Sequence, residues 1–212
     1  LDQLYHNIIT DQGRHIIWSI EAGMGAGKTT LLALAAREAF RRAQVFKHGN
    51  DTQRFGPTTL VTQAKDNGHD TGVMAQTYHT AADLLQKIHF RRSAIVLIDE
   101  WQFAQASERS LATLINRAQQ TGTDLVFAHL NTDFARRPWN NGQLLNRHHP
   151  IQYVLAARCA VADCHEPALF SMRSVTLPDG RTRPAHTEEP IEQVGGIANT
   201  YTPTCAGHHQ VW

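Results

Sequence analysis

A chain of 212 residues is long enough for one substantial domain with a small appendage. Twenty basic against nineteen acidic residues leave a net charge of +1, a balance that gives a nucleic acid nothing to hold by charge. No apolar run reaches the roughly 20 residues of a membrane span, residues 1–13 lack the layout of a signal peptide, and three cysteines are poor material for a disulfide framework; the expectation is a soluble, cytoplasmic protein with no membrane or nucleic-acid partner.

Residues 1–14 read as a lead-in, and residues 15–21 (HIIWSIE) as a first strand, buried on both faces if the sheet is parallel. The strand runs into Ala22-Gly23-Met24-Gly25-Ala26-Gly27-Lys28-Thr29-Thr30, a phosphate loop of the Walker A pattern with alanine at its first glycine. Glycines let consecutive backbone N–H groups curl around a phosphate, and the helix that follows points its positive end at the same anion. Lys28 supplies a charge for the β- and γ-phosphates of ATP, and Thr29 a hydroxyl for Mg²⁺. Residues 29–42 continue as a helix with Leu32, Ala35, Ala36, Ala39 and Phe40 on one face. Residues 47–57 read as a loop, 58–62 as a short strand, and 77–90 as a helix through Ala81, Leu84, Leu85 and Ile88.

The second chemical signal is the apolar run from Ala94 that ends in Asp99-Glu100, the Walker B arrangement, in which a buried strand delivers a carboxylate beside the phosphate loop to hold Mg²⁺. Residues 107–120 follow as an amphipathic helix and 124–130 as a strand. Alternating strands and helices predict an α/β fold of the P-loop NTPase kind, a parallel sheet flanked by helices, over residues 1–150. Residues 151–212 form a separate C-terminal unit in this reading. There Cys159-x4-Cys164 and Cys205-x2-His208 make two ligand pairs around a turn at Pro178-Asp179-Gly180, the pattern of a tetrahedral Zn²⁺ site. His165 and His209 stand close enough in sequence to replace a named ligand.

A phosphate loop, Asp99-Glu-Trp-Gln-Phe103, His129-Leu-Asn-Thr-Asp-Phe134 with Pro138-Trp139, and Gly195-Gly196, Tyr201 and Cys205-x2-His208 occur in that order. Together they resemble thymidine kinases of the P-loop, zinc-containing type over nearly all of residues 15–209. The family reads DEGQF and GLDxxF at the second and third segments, so Trp101 and His129 stand where it has glycine and Asn131 where it usually has aspartate. The resemblance implies ATP-dependent transfer of a phosphate to the 5′-hydroxyl of thymidine or deoxyuridine. It implies Glu100 as general base, Asp99 as holder of Mg²⁺, and Met24, Phe103, Leu130, Phe134 and Trp139 around the base. A lasso over the nucleoside would run from Ile191 to Tyr201, including Gln193 and Gly195, with Tyr201 near the sugar. The resemblance sets Asp51 and Arg54, here one residue further apart as D-x-x-R, against a family D-x-R near the phosphates, which makes Arg54 a candidate for charge stabilisation. Trp101 is expected between Glu100 and Phe103. The resemblance further implies a homotetramer inhibited by its end-product triphosphate. A kinase for another nucleoside, an ATPase, and a catalytically silent zinc-ribbon module that keeps nucleotide as a structural ligand are the competing readings.

Overall fold

The computed structural model describes residues 7–8, 17–50, 58–62, 69–191 and 199–212. Its centre is a six-stranded sheet of β1 (Ile17–Ala22), β2 (Ala43–His48), β5 (Gln76–Tyr78), β6 (Ile95–Asp99), β7 (Asp124–Leu130) and β8 (Ile151–Leu155). The order is β5-β2-β6-β7-β1-β8, and all five pairings are parallel. Parallel sheets bury both faces, which is why β6 (IVLID) is buried at every position and β7 (DLVFAHL) at all but the last. The expected α/β architecture is present. Parallel pairing also brings every strand's C-terminal end to one edge, where ligands of open α/β sheets collect.

One face of the sheet packs on α1 (Lys28–Ala39) and on an antiparallel hairpin of β3 (Thr59–Thr62) and β4 (His69–Met74), through Trp18, Ile20, Leu31, Leu32, Leu97 and Val126 among others. The opposite face packs on α2 (Ala81–Lys87), α3 (Glu108–Thr121) and α4 (Asn140–Asn146), through residues such as Phe46, Leu84, Leu111, Leu114, Phe127 and Leu145. Helix α3 has the most complete ends. Ser107 and Ser110 exchange hydrogen bonds as a capping box, and Gly122 closes the helix at φ 72°.

Several sequence expectations are corrected here. The first helix ends at Ala39, and a single 3₁₀ turn (Phe40–Arg42) leaves Phe40 71% exposed instead of in the core. Lys47 and His48, read as loop, belong to β2, which periodicity did not reveal. The helix read from residue 77 starts at Ala81, because Gln76–Tyr78 pair with β2 and Thr80 caps the helix by accepting from the Asp83 N–H. Residues Ile151–Leu155, assigned to the C-terminal unit, pair with β1 in the main sheet.

Trp101 does not stand between Glu100 and Phe103. It turns beneath the sheet, fully buried, with its ring edge against Phe127 at 4.8 Å and its indole N–H donating to the Asn141 carbonyl at 3.2 Å. Asn141 returns the contact: its Nδ2 donates to the carbonyls of Trp101 and Gln102, both at 3.2 Å, and to that of Ala104. One amide thus ties α4 to the 3₁₀ turn Trp101–Phe103 that follows β6.

Beyond β8 the chain forms a small antiparallel unit. A hairpin of β9 (Ala157–Arg158) and β10 (Pro167–Ala168) precedes a three-stranded sheet of β11 (Phe170–Thr176), β12 (Thr182–Pro184) and β13 (Asn199–Thr204) in the order β12-β11-β13. The predicted turn at Pro178-Asp179-Gly180 joins β11 to β12, with Gly180 at φ 83°.

Replacing Asn141 with alanine removes a donor from three buried carbonyls, of which that of Trp101 keeps the Ala104 N–H at 3.0 Å. Stability in urea unfolding should fall by about 1–3 kcal/mol, and Asn141→Asp should not restore it, because a carboxylate cannot donate.

Candidate functional site

The loop after β1 is held from two sides. Gly25 (φ 71°) and Gly27 (φ 90°) adopt left-handed backbone, which L side chains rarely take. Gly23 is closely packed: a Cβ there would lie 3.3 Å from the Leu169 carbonyl, which would have to give by a few tenths of an ångström. The Met24 N–H donates to Ser171 Oγ at 3.0 Å. Ala26 is half-buried and Thr30 exposed. Gly27 precedes α1 without a side-chain cap. Lys28 is buried, and its Nζ donates to the Gly23 carbonyl at 3.1 Å. Burial pulls its pKa down, and the nearby Glu100 and Asp99 carboxylates oppose that pull.

The β6 end meets this loop directly. Thr29 Oγ1 donates to Asp99 Oδ2 at 2.8 Å, and the Glu100 N–H donates to Asp99 Oδ1 at 2.9 Å. Glu100 sits at φ 57°, an unusual backbone for a non-glycine residue and one that concentrates at functional sites. Gln102, which the sequence reading did not single out, holds it. Its Nε2 donates to the Glu100 carboxylate while its Oε1 accepts from the Leu130 N–H at 3.1 Å. Gln102 therefore fixes Glu100 to the end of β7. Tyr78 donates its hydroxyl to the Asp99 carbonyl at 2.9 Å; burial, then Asp99 and Glu100, keep its pKa well above the ordinary value and so keep it a donor.

Next to Gln102 opens a cleft of about 510 Å³, lined also by Gln105, Asp133, Arg137, Trp139 and Ile191 among others. Phe103 and Trp139 come together near it, edge to face at 5.4 Å. Leu130 is half-buried at the end of β7, whereas Phe134 is buried beneath the Arg173 guanidinium, 5.1 Å from its ring centroid. Tyr201 pairs with Arg173 across β11 and β13. Arg54, Gln193 and Gly195 lie outside the described residues. Arg136 and Arg137 have structural partners: Arg136 donates to the Ala206 carbonyl at 2.7 Å, and Arg137 pairs with Asp133 at 2.7 Å.

His129 lies buried under the loop. Its Nδ1–H donates to the Leu130 carbonyl at 3.0 Å, which leaves Nε2 to accept from the Ser19 hydroxyl at 2.9 Å, with Glu21 4.0 Å away. The imidazole occupies space that Gly142 leaves open, where a Cβ would lie 2.9 Å from His129 Cε1. Burial lowers the pKa of His129, against the pull of the Leu130 carbonyl and Glu21, and burial likewise lowers those of His48 and His209.

In the C-terminal unit, Cys159, Cys164, Cys205 and His208 bring their ligand atoms within 4.8 Å of one another. The separations are 3.9 Å for the Cys164 and Cys205 sulfurs, 3.6 Å from Cys159 Sγ to His208 Nδ1, and 3.4 Å from Cys205 Sγ to that nitrogen. Bonds of about 2.3 Å to sulfur and 2.0–2.1 Å to nitrogen make tetrahedron edges of about 3.5–3.8 Å. The four residues therefore fit zinc, and the sulfurs are too far apart for a disulfide. The Cys205 N–H, donating to Cys159 Sγ at 3.4 Å, helps bring that thiol down to about 6. His165 pairs with Arg158, and both ring nitrogens of His209 are engaged, by Thr204 and the Phe134 carbonyl, so neither histidine replaces His208.

A strand-to-helix glycine turn with a buried lysine faces a carboxylate pair on a nearby parallel strand of an α/β sheet. Residues 15–209 match the family model described as thymidine kinase, and the chain belongs to that family. Among solved structures it is similar to domain III of the Thermotoga maritima replication initiation protein DnaA, at 17% identity and a TM-score of 0.42, with 73% of this chain and 61% of that chain covered. The chain thus spans less than two thirds of that structure's length. No curated protein matches it significantly. Among the described residues, no helix is long and apolar enough to cross a membrane.

Two outcomes are expected. Elemental analysis should find about one zinc per chain, and Cys205→Ser should lose it and lower the melting temperature. Histidines with depressed folded pKa values take up protons more readily when unfolded, so stability is full above about pH 6.5 and falls as pH drops below it. Urea midpoints between pH 8 and 5.5 should show this loss, and His129→Gln should flatten it.

Proposed function

We propose that the protein is a nucleoside kinase that transfers the γ-phosphate of ATP to the 5′-hydroxyl of thymidine or deoxyuridine. The observation that carries the reading is Glu100. It is a carboxylate held in an unusual backbone by Gln102, which itself lines the cleft with Trp139, one residue after the Asp99 that Thr29 contacts. Phosphoryl transfer needs positioning and charge neutralisation, plus a base at the nucleophile. In this reading the loop Gly23–Thr30 cradles the triphosphate with backbone N–H groups, and Lys28 swings its ammonium from Gly23 to the β- and γ-phosphates. Thr29 and Asp99 would hold Mg²⁺, which when bound offsets phosphate charge. Glu100 takes the proton of the 5′-hydroxyl as that oxygen bonds to the γ-phosphorus and the bond to the ADP oxygen breaks.

Phe103 and Trp139 flank the pyrimidine, with Met24, Leu130 and Phe134 completing its surroundings, and Ile191 opens the segment that covers it. Arg54 adds charge at the phosphates. Cys159, Cys164, Cys205 and His208 hold a structural Zn²⁺ that anchors the covering segment at its base. Residues 1–150 carry the donor and residues 151–212 cover the acceptor, with β8 shared between them.

Purified protein with ATP and Mg²⁺ should phosphorylate thymidine or deoxyuridine ahead of purine nucleosides and ribonucleosides. Preference for another nucleoside would replace the substrate assignment, and phosphate release without an acceptor would favour an ATPase. Glu100→Gln should bind ATP and nucleoside as before while turnover falls about 10²-fold or more. Near-normal turnover in that variant would remove Glu100 from the base role.

A further inference from the structure

Lys47 is among the largest fully buried side chains of the chain, 0% exposed, and the reaction as proposed makes no use of it. Lysine is almost never fully buried unless opposite charge compensates it. Its position on β2 sets it in register with a carboxylate. Lys47 pairs in parallel register with Asp99 on β6, and neighbouring strands lie about 4.8 Å apart with paired side chains on one face. The face is identified independently. Val45 and Leu97, two residues earlier on each strand, belong to the core beneath α1, whereas Phe46 and Ile98 belong to the opposite core. Asp99 reaches the same side, since its carboxylate accepts from Thr29 in the first turn of α1. The Asp99 carboxylate is therefore faced by Lys28 and Thr29 from α1 and flanked by Lys47 from β2, with Tyr78 on its backbone carbonyl from β5 and Glu100 beside it.

We propose that Lys47 is a positioning residue of the phosphoryl-transfer site, whose buried ammonium balances Asp99 and keeps its carboxylate turned to the α1 side and available to a divalent cation. This rests on the kinase reading. Lys47 is enclosed and Lys28 sits in the loop itself, so the two lysines have different tasks. Lys28 meets the nucleotide, and Lys47 acts through Asp99. A sequence scan cannot separate these roles, because Lys47 falls in no phosphate-loop pattern.

The test uses the full chain with Mn²⁺ as the probe cation and ADP present, free Mn²⁺ being read by electron paramagnetic resonance. Lys47→Met should weaken Mn²⁺ binding about tenfold, the scale of lost outer-shell support at a metal. It should lower kcat by a similar factor and leave the nucleoside KM within about twofold. In an Asp99→Asn background the same change should add less than about twofold, because the partner it acts through is gone. Unchanged or tighter Mn²⁺ binding in Lys47→Met, or an equal loss in both backgrounds, overturns the proposal. If Lys47→Met does not fold, Lys47→Arg decides: retained Mn²⁺ binding supports a charge role, and loss of binding in a folded Lys47→Arg protein overturns it. Mn²⁺ binding that depends on Lys47 in a chain that phosphorylates no nucleoside would remove the kinase reading while leaving this one.

Discussion

An ammonium group that water does not reach governs the active edge of the sheet. Lys28 is enclosed between its own loop and the β6 end, bonded to the Gly23 carbonyl, and its charge is tolerable only because Asp99 and Glu100 lie nearby. A buried charge without partners costs several kcal/mol or loses its proton. Loop, strand end and carboxylates must therefore keep their relative positions for the lysine to stay charged. The parallel sheet provides that frame. Strand β7 stands between β1 and β6, so the glycine loop and the carboxylates are two strand spacings apart, and Thr29 closes the gap by reaching Asp99.

The C-terminal unit is fastened to the same edge by contacts that avoid the cleft. Ser171 accepts from the Met24 N–H, the Asn131 side chain donates to the Leu169 carbonyl at 2.8 Å, and the Phe134 carbonyl accepts from His209 at 2.8 Å. Arg136 adds a bond to Ala206 and stacks over Phe170, 4.5 Å from the ring centroid. These anchors lie beside or within the Cys205–His209 turn and the β10–β11 stretch. A metal at the four-residue cluster would thus stiffen the segment that grips the loop, and a change at the cluster would be felt at Met24 through hydrogen bonds instead of through space.

Much of this was legible in the sequence, for identifiable reasons. Strands apolar on both faces, such as β6 and β7, have no competing interpretation. The glycine loop shows itself because only glycine takes the backbone of Gly25 and Gly27. The cluster of three cysteines and His208 was readable from spacing, although Cys164 and Cys205 are 41 residues apart and meet because β11 and β13 pair between them. Strand β2 was missed because its burial comes from β5 and β6 on either side, and its apolar core is just Val45 and Phe46 between polar residues. Trp101 was misplaced because a motif gives an order of residues, not the side of the chain on which a ring falls. Gln102 stood inside the Asp99–Phe103 motif without a role, whereas Ser171 and Leu169 left no signal, since their bonds to Met24 and Asn131 run through a backbone group on one side.

The imidazole of His129 and the bare backbone of Gly142 fill a single volume between them, and this constrains the order in which a lineage can alter the pair. A side chain cannot arrive at position 142 while the imidazole is in place. Position 129 has to shrink first, through an intermediate that carries an empty pocket beneath the loop. Descent from a glycine at 129 had to run the other way, with the space at 142 open before the ring could enter. Substitutions at these two sites should therefore be found together or in one fixed succession, and homologues with a bulky residue at both should be absent.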